Sequence, residues 1–309
     1  MPRQVQQSSY PTAPPIDPGM FRVTGLIPAQ VAPIHYIKRV WERIAPLQLA
    51  DKSWDNVGVM IEAPYPVSNR KRVLLTIDLT AAVCDEALSM PDCGVIVSYH
   101  PPIFRALKSM TLSDPIQTSL LRLASKGISV FSPHTSLDAT PNGINTWLVE
   151  PFIPIASSST PLVPSDPPIS GFEGAGSGKL VILKQRLCIL DIAKMVKDHL
   201  GLQYVQIACP EPELTIGSIA VCAGSGGSMF KDVKADLLFT GEMSHHEVLA
   251  AVARHQGVIL CNHTNTERPY LRAVLQPWLE KELNNDPDNG ESGWSVSVSQ
   301  SDADPLRVV

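Results

Sequence analysis

Four apolar runs of this chain lead into histidines, and two of those histidines have a carboxylate four residues on. Val95-Ile96-Val97-Ser98-Tyr99 runs into His100. Ile128-Ser129-Val130-Phe131 precedes His134, with Asp138 at i+4. Leu237-Leu238-Phe239-Thr240-Gly241-Glu242 precedes His245 and His246. Val258-Ile259-Leu260-Cys261-Asn262 runs into His263, with Glu267 at i+4. Imidazole and carboxylate together form a donor set for zinc, manganese or iron(II). One His-xxx-acid pair is as well explained by a helix cap or a surface pair. Two such pairs, each just after an apolar run and joined by His100, point to a divalent-metal site. The expected ligands are His100, His134, Asp138, His263 and Glu267. Asp138 and Glu267 bring two negative charges, so two divalent cations leave a net positive centre that suits hydroxide and substrate oxygens. Such a centre makes a water nucleophile available near neutral pH.

Glu242, His245 and His246 follow their run in Gly241-Glu242-Met243-Ser244-His245-His246-Glu247 and are the candidate catalytic residues. A histidine there can orient substrate or act as general acid or base near its ordinary pKa of ~6.5. The alternative is that Glu242 and Ser244 cap a helix. Two Gly-rich loops are weaker signals. Gly174-Ala175-Gly176-Ser177-Gly178-Lys179 is not a Walker A motif, because its first required Gly falls on Glu173 and Leu180 replaces the Ser/Thr. Ala223-Gly224-Ser225-Gly226-Gly227-Ser228 follows an apolar run and can present backbone N–H groups to an anion, or simply turn. Trp54-Asp55-Asn56 reads as an Asx turn or as part of the cleft rim. His35, His199 and His255 have no partner signature and read as structural or solvated.

The elements that must carry these residues are strands and helices in alternation. Short β-branched runs bounded by Gly and Pro read as buried strands of a largely parallel sheet, and ligands of such sheets bind beyond the carboxyl ends of the strands. Strands are expected at Val57–Ile61, Arg72–Asp78, Val95–Ser98 and Ile128–Ser132. Helices are expected at His35–Ile44, Thr80–Ser89 and Ser113–Lys126, with Thr80 an N-cap and Gly127 a C′ glycine. Residues 151–170 hold six Pro and five Ser with no periodicity, a linker or long loop. Beyond it come strands at Leu180–Leu183, Tyr204–Ala208, Ile216–Cys222, Asp236–Thr240 and Val258–Cys261. Helices there are expected at Cys188–Leu200, Ser244–His255 and Glu267–Leu283, and Ser295–Ser299 alternates like an edge strand. The organisation read from this is a disordered tail (1–32), a first α/β lobe (33–150), a Pro/Ser-rich linker or loop (151–172) and a second α/β lobe (173–309). The C-terminal segment is free to pack back on the first lobe. The fold class is α/β, two related lobes with mixed, largely parallel sheets facing a shared metal cleft.

Composition bounds the function. The 309 residues suffice for one large or two medium domains. A charged fraction of 18 % with 44 % apolar residues is globular. A net charge of −5 predicts neither a nucleic-acid footprint nor a membrane-surface patch, and no apolar run approaches the ~20 residues of a membrane span. The six cysteines form no CxxC pair and sit partly inside apolar strands, which reads as reduced, structural thiols. Pro11, Pro14, Pro15 and Pro18 argue against the amphipathic helix of a mitochondrial import signal. The expected location is cytoplasmic, with a mitochondrial or nuclear pool as alternatives.

Several ordered motifs resemble a known family. They are Ser53-Trp54-Asp55-Asn56-Val57-Gly58, Asp78-Leu79-Thr80, Ser98-Tyr99-His100-Pro101-Pro102-Ile103-Phe104, His134-Thr135-Ser136-Leu137-Asp138, Gly224-Ser225-Gly226-Gly227-Ser228, Gly241-Glu242-Met243-Ser244-His245-His246 and Asn262-His263-Thr264-Asn265-Thr266-Glu267. Together they look like the NGG-interacting-factor-three family, also known as type 2 GTP cyclohydrolase homologues, from about residue 35 to the C-terminus. The resemblance implies a two-lobed α/β fold, a dinuclear centre and often a ring-shaped homohexamer. It assigns one metal to His100, Asp138 and Glu267 and the other to His263 and Glu267, with Glu267 bridging and His134 nearby. Many members have two adjacent histidines where this chain has Tyr99-His100, so the second metal loses an imidazole. The domain inserted in some bacterial members is replaced by the short Pro/Ser stretch.

Two functions follow as expectations. One is a metal-dependent hydrolase of a nucleotide-like or phosphorylated small molecule, GTP cyclohydrolase type 2-like by resemblance, using two divalent ions (Zn, Mn or Fe). The other is a non-enzymatic regulatory protein linked to transcription, with structural or vestigial metals. The expected partners are further copies of the chain in a ring, a small-molecule substrate and a transcriptional adaptor protein, with no direct nucleic acid and no membrane.

Overall fold

The structure, a computed structural model, describes residues 32–287 and 293–306. All but Ala32 of the expected disordered tail lies outside the described residues. Ala32, Ile34, Ile37, Val40, Trp41 and Ile44 are buried along one face of helix α1 (Pro33–Ile44), which starts on its proline. The first sheet is built from β1 (Gly58–Ile61), β2 (Arg72–Thr76), β3 (Cys93–Ser98) and β4 (Ser129–Ser132). Helix α2 (Ala81–Ser89) crosses from β2 to β3, and the Thr80 hydroxyl accepts from Val83 N–H as its N-cap. Helix α3 (Pro115–Ser125) crosses from β3 to β4. Its cap is the Asp114 carboxylate, and Gly127 follows its end with φ 78°. β2, β3 and β4 are mutually parallel, whereas β1 runs antiparallel beside β4.

Two short helices follow, α4 (Thr135–Ala139) and α5 (Ile144–Val149). The Pro/Ser-rich stretch then carries a 3₁₀ turn and an edge strand, β5 (Ala156–Thr160). Ser157 to Thr160 are all exposed, so the strand has no apolar alternation to announce it. A two-stranded ribbon, β6 (Val163–Pro164) with β7 (Gly176–Ser177), connects to β8 (Lys179–Cys188). The second half continues with α6 (Ile189–Leu200), β9 (Gln206–Ala208), β10 (Thr215–Ser225), β11 (Leu237–Glu242), α7 (His245–Ala253) and β12 (Gly257–Leu260). The second sheet has the order β5-β8-β10-β11-β12-β9. Its centre, β10-β11-β12, is parallel and its flanks are antiparallel.

The expected helix over Glu267–Leu283 is interrupted. Residues Arg268–Tyr270 (α8) are α-helical, Leu271–Leu275 widen to π geometry, and Gln276–Asn284 (α9) return to α. Pro277 has no N–H for the preceding turn and its ring crowds the carbonyl there, so that turn opens. The last strand, β13 (Ser295–Val298), adds in parallel to β2 and completes the order β1-β4-β3-β2-β13.

One continuous core lies between the two sheets. Val73, Leu75, Val95 and Val97 of the first sheet and Val181, Ile219 and Val221 of the second belong to it, with residues of α1, α5, α6 and the C-terminal helix in the same cluster. The opposite faces are covered too. Leu74 and Ile96 pack under α2 and α3, and Ala220, Leu238 and Val258 pack with Phe230 and Ala251. Burial on both faces is why these strands read as unbroken apolar runs. Among the described residues no helix is long and apolar enough to cross a membrane.

Candidate metal centre

The carboxyl ends of the parallel strands in the two sheets meet. From the first sheet come Asp78 after β2, His100 after β3 and His134 after β4. From the second come Gly224 in β10, Glu242 ending β11 and His263 after β12. His263 sits on a 3₁₀ turn (His263–Thr266) that delivers Glu267. His100, His263 and Glu267 each offer a ligand atom, and these atoms lie within 4.8 Å of one another. His100 Nε2 is 3.5 Å from Glu267 Oε2, and His263 Nε2 is 3.4 Å from Glu267 Oε1. These are ion-pair distances rather than hydrogen bonds. Glu267 is 1 % exposed, and its buried Oε2 has no hydrogen-bond partner. A buried carboxylate oxygen without a donor is costly unless something positive completes it, so the residues fit a cation.

Three histidines are oriented in the same way. His100 Nδ1 is 2.9 Å from Asp78 Oδ1, His134 Nδ1 is 2.7 Å from Asp55 Oδ1, and His263 Nδ1 is 2.9 Å from Glu242 Oε1. A carboxylate at Nδ1 holds the proton there, so that the neutral ring carries its lone pair on Nε2. This carboxylate–histidine arrangement fixes the tautomer and raises the basicity of a metal ligand. Burial works against the charge on Asp55 and Asp78, yet bonds to His134 and Thr135 in one case and to His100 in the other hold both carboxyls below the usual range. Burial likewise opposes a charged His100, but Asp78 and Glu267 outweigh it and raise the imidazole to about 10. That proton demand is what a cation would replace.

Asp138 takes a different place. Its Oδ1 accepts from the Tyr99 hydroxyl at 2.5 Å. Burial, reinforced by the charge on Glu267, pushes the Asp138 carboxyl up to about 6. Burial and the charges of Asp138 and Glu267 keep the Tyr99 phenol protonated, well above its ordinary value. Asp138 and His134 both face the cavity beside His100, but neither belongs to the close three-residue group.

The backbone shows how tightly the turns are drawn. His134 (φ 35°) and Asn262 (φ 65°) are non-glycine residues in the left-handed region, one at each ligand-bearing turn. Gly224 closes the site from β10. A Cβ there would stand 2.6 Å from Glu267 Oε1 and 2.8 Å from His263 Nε2, so no larger residue fits.

Of the candidate catalytic residues, Glu242 reaches the centre as the partner of His263. His245 and His246 are exposed first-turn residues of α7, their ring centroids 5.5 Å apart, and border none of the three cavities beside His100. Ser244 caps that helix in a reciprocal capping box with Glu247, so the cap is made by Ser244 without Glu242. The outer carboxylates Asp55 and Asp78 carry no spacing signal of their own, although Asp78, like His100, directly follows a strand.

A second group missing from the spacing pattern is the chain after β13. Asp302 is buried, and its Oδ2 accepts from Ile77 N–H at 2.8 Å while Oδ1 accepts from Arg268 at 3.1 Å. Asp304 accepts from the Thr264 hydroxyl at 2.7 Å, and Arg268 donates to the same hydroxyl. This strap therefore ties the residue before Asp78 to the turn that carries His263 and Glu267.

Fold and site together define an α/β protein with a candidate divalent-metal centre held between two sheets. Residues 33–305 match the Duf34/NIF3 (NGG1p interacting factor 3) family model, and the chain belongs to that family. It is 44 % identical over 274 residues to the Protein NIF3 homolog of Schizosaccharomyces pombe, covering 88 % of this chain and 97 % of that one. It is 38 % identical over 282 residues to NGG1-interacting factor 3 of Saccharomyces cerevisiae, covering 85 % and 92 %. Among solved structures it is similar to a Bacillus cereus protein related to NIF3 (TM-score 0.71, 19 % identity, 89 % and 98 % covered). It is also similar to reduced HcgD from Methanocaldococcus jannaschii (TM-score 0.68, 22 % identity, 86 % and 96 % covered). These two likenesses carry the fold.

Proposed function

We propose that the protein is a divalent-metal-dependent hydrolase of a small molecule. The observation that carries this is the pair His100 and His263, each held at Nδ1 by its own carboxylate, around the buried Glu267, whose Oε2 lacks a donor, with His134 held in the same way beside them. His100, His263 and Glu267 hold the first ion. His134 and Asp138 are the donors available to a second, where the Tyr99 hydroxyl already occupies one Asp138 oxygen. A divalent ion in such a site supplies Lewis acidity and an activated water at neutral pH. The chain's own contribution is orientation: Asp78, Asp55 and Glu242 hold the imidazole rings, Gly224 leaves room for Glu267 and His263 beside β10, and the Tyr99 hydroxyl donates to Asp138.

Metal analysis of protein purified without chelator, followed by a turnover screen with manganese, iron or zinc, tests the reading. Bound metal that Glu267→Gln abolishes, together with metal-dependent turnover of a small molecule, is the expected result. Protein that takes up no divalent ion ends the proposal.

A second reading is a regulatory protein with a transcription-related partner. It draws on the name of the Saccharomyces cerevisiae relative, NGG1-interacting factor 3, and on the Asp138 oxygen committed to Tyr99. Unchanged partner capture by metal-free Glu267→Gln protein separates this reading from the enzyme.

A further inference from the structure

The metal-type residues gather at the carboxyl ends of the parallel strands, and the opposite ends of the first sheet's strands frame a groove. Arg70 stands just before β2, Pro91 just before β3 and Ile128 just before β4, and all three border a cavity of about 430 Å³. The last turns of α2 and α3 add Leu88 and Arg122 to its walls. Its floor is apolar. Ile128 is 1 % exposed, and Leu88 and Met90 pack on the core beneath α2 and α3.

The rim is cationic. Arg70, Arg122 and Lys126 border the groove, and no Asp or Glu is among the described residues that do. This runs against the balance of a chain with 25 Lys and Arg and 30 Asp and Glu. Cations at helix ends have a bland explanation, since they offset the carbonyl ends of the dipoles. Arg70 answers to it in part, donating from one terminal nitrogen to the Lys126 carbonyl at 2.7 Å. Arg122 is neutralised by Asp85 at 2.7 Å. The Lys126 ammonium has no hydrogen bond or ion pair among the described residues. Two rim charges, those of Arg70 and Lys126, are therefore left without a carboxylate.

The surface beside Lys126 is apolar as well. A Cβ on Gly127 would stand 2.7 Å from the Tyr65 carbonyl oxygen and 3.4 Å from the Val67 side chain, and the Arg70 N–H donates to the Val67 carbonyl at 3.1 Å. The side chains of that turn face outward all the same, Tyr65 81 % and Val67 38 % exposed. A free phosphate would use the cations and leave the apolar floor wet. A nucleic acid calls for a longer basic tract than three residues. A peptide that bears both carboxylates and large apolar side chains satisfies rim and floor together.

We infer that this groove docks an acidic, apolar-bearing peptide segment of a partner protein. Its aliphatic or aromatic side chains cover Leu88, Met90 and Ile128, and its carboxylates face Arg70 and Lys126. The groove lies at the strand ends remote from the metal-type residues, so the inference depends on neither reading of that centre.

The test is fluorescence anisotropy of the full chain with a labelled peptide in which Asp alternates with Leu and Phe. Binding is expected at low salt and should weaken as ionic strength rises. Lys126→Glu, which breaks no side-chain contact among the described residues, should weaken it about three-fold or more, and Arg70→Glu combined with it about ten-fold or more. Lys231→Glu, an exposed position between β10 and β11, makes the same change in net charge and should leave binding within about two-fold. Exchanging the peptide's Asp for Asn, or its Leu and Phe for Ser, should each cost roughly ten-fold. Should the double variant lose its circular dichroism, Lys126→Glu alone decides. No binding, unchanged binding by Lys126→Glu, an equal loss in Lys231→Glu, or full affinity for the Ser-exchanged peptide overturns the inference. Displacement of the peptide by inorganic phosphate at matched ionic strength assigns the groove to a small anion and overturns it too.

Discussion

The chain carries two His-xxx-acid pairs with identical spacing, each just after an apolar strand, and the fold treats them oppositely. His263 and Glu267 stay together, 3.4 Å apart on one 3₁₀ turn, and face His100. His134 and Asp138 each bond elsewhere, His134 to Asp55 and Asp138 to Tyr99. Spacing brings two side chains to one side of a turn, but the neighbours decide what they do there. Gly224 and the strap from Asp302 to Asp304 press the second pair into the site, whereas a phenol intercepts the carboxylate of the first.

The largest expected effect lies on that contrast. Glu267→Gln should cost metal affinity more than the roughly 10–100-fold typical of losing an outer partner, while Asp138→Asn should cost less than about ten-fold. Equilibrium dialysis of both variants with zinc or manganese measures it. Equal losses would mean that the two acids act as equal ligands and that the Tyr99 bond breaks when metal enters. Next in size is the strap. Asp302→Ala leaves the Ile77 N–H without its acceptor and the partly buried Arg268 with only the Thr264 hydroxyl, a loss worth about 1–3 kcal/mol. Denaturant unfolding of metal-free protein reads it directly, and Asp302→Asn, which keeps an acceptor for Ile77, should lose less. The outer carboxylates come third. Asp78→Asn and Asp55→Asn should each weaken metal binding by roughly 10–100-fold. Glu242→Gln should weaken it less, because the Glu242 side chain is 54 % exposed and the bond to His263 competes with water. Asp55→Asn falling well short of Asp78→Asn would leave His134 outside the ligands.

The centre was legible in the sequence to the extent that strand ends announce themselves. His100, His263 and Glu267 follow β-branched runs, and runs buried on both faces leave an unmistakable pattern. Asp55 read as an Asx turn or as part of the cleft rim and not as an orienting group, because what makes it one is the arrival of His134 from 79 residues away. Asp302 gave none, since its partners are a backbone N–H and an arginine from distant strands and turns. The edge strand β5 hid in a Pro/Ser-rich stretch for the same reason. Its register is imposed by β8, and its own side chains bury nothing. His245 and His246 show the reverse, a motif placed by its neighbours in sequence near a centre that the helix cap turns it away from.

The smallest effect is at the far end of the strap and bears on whether the two pairs differ by support as well as by neighbours. Glu86 accepts from the Ser299 hydroxyl and from the backbone N–H groups of Gln300 and Ser301. Burial works against its charge, but these bonds prevail and hold the carboxyl below its ordinary value of 4.5. A folded-state value below the unfolded one contributes stability that is complete above the unfolded value and is lost as pH falls through the folded one. The group is partly solvated, so the contribution is under about 1 kcal/mol. Chelated wild-type protein should therefore lose slightly more stability than chelated Glu86→Gln between about pH 6 and about pH 3.5 in urea unfolding. Parallel losses in the two proteins would show that the strap is held by Asp302 and Asp304 alone, and that the support of the Glu267 side begins only at Ile77 and Arg268.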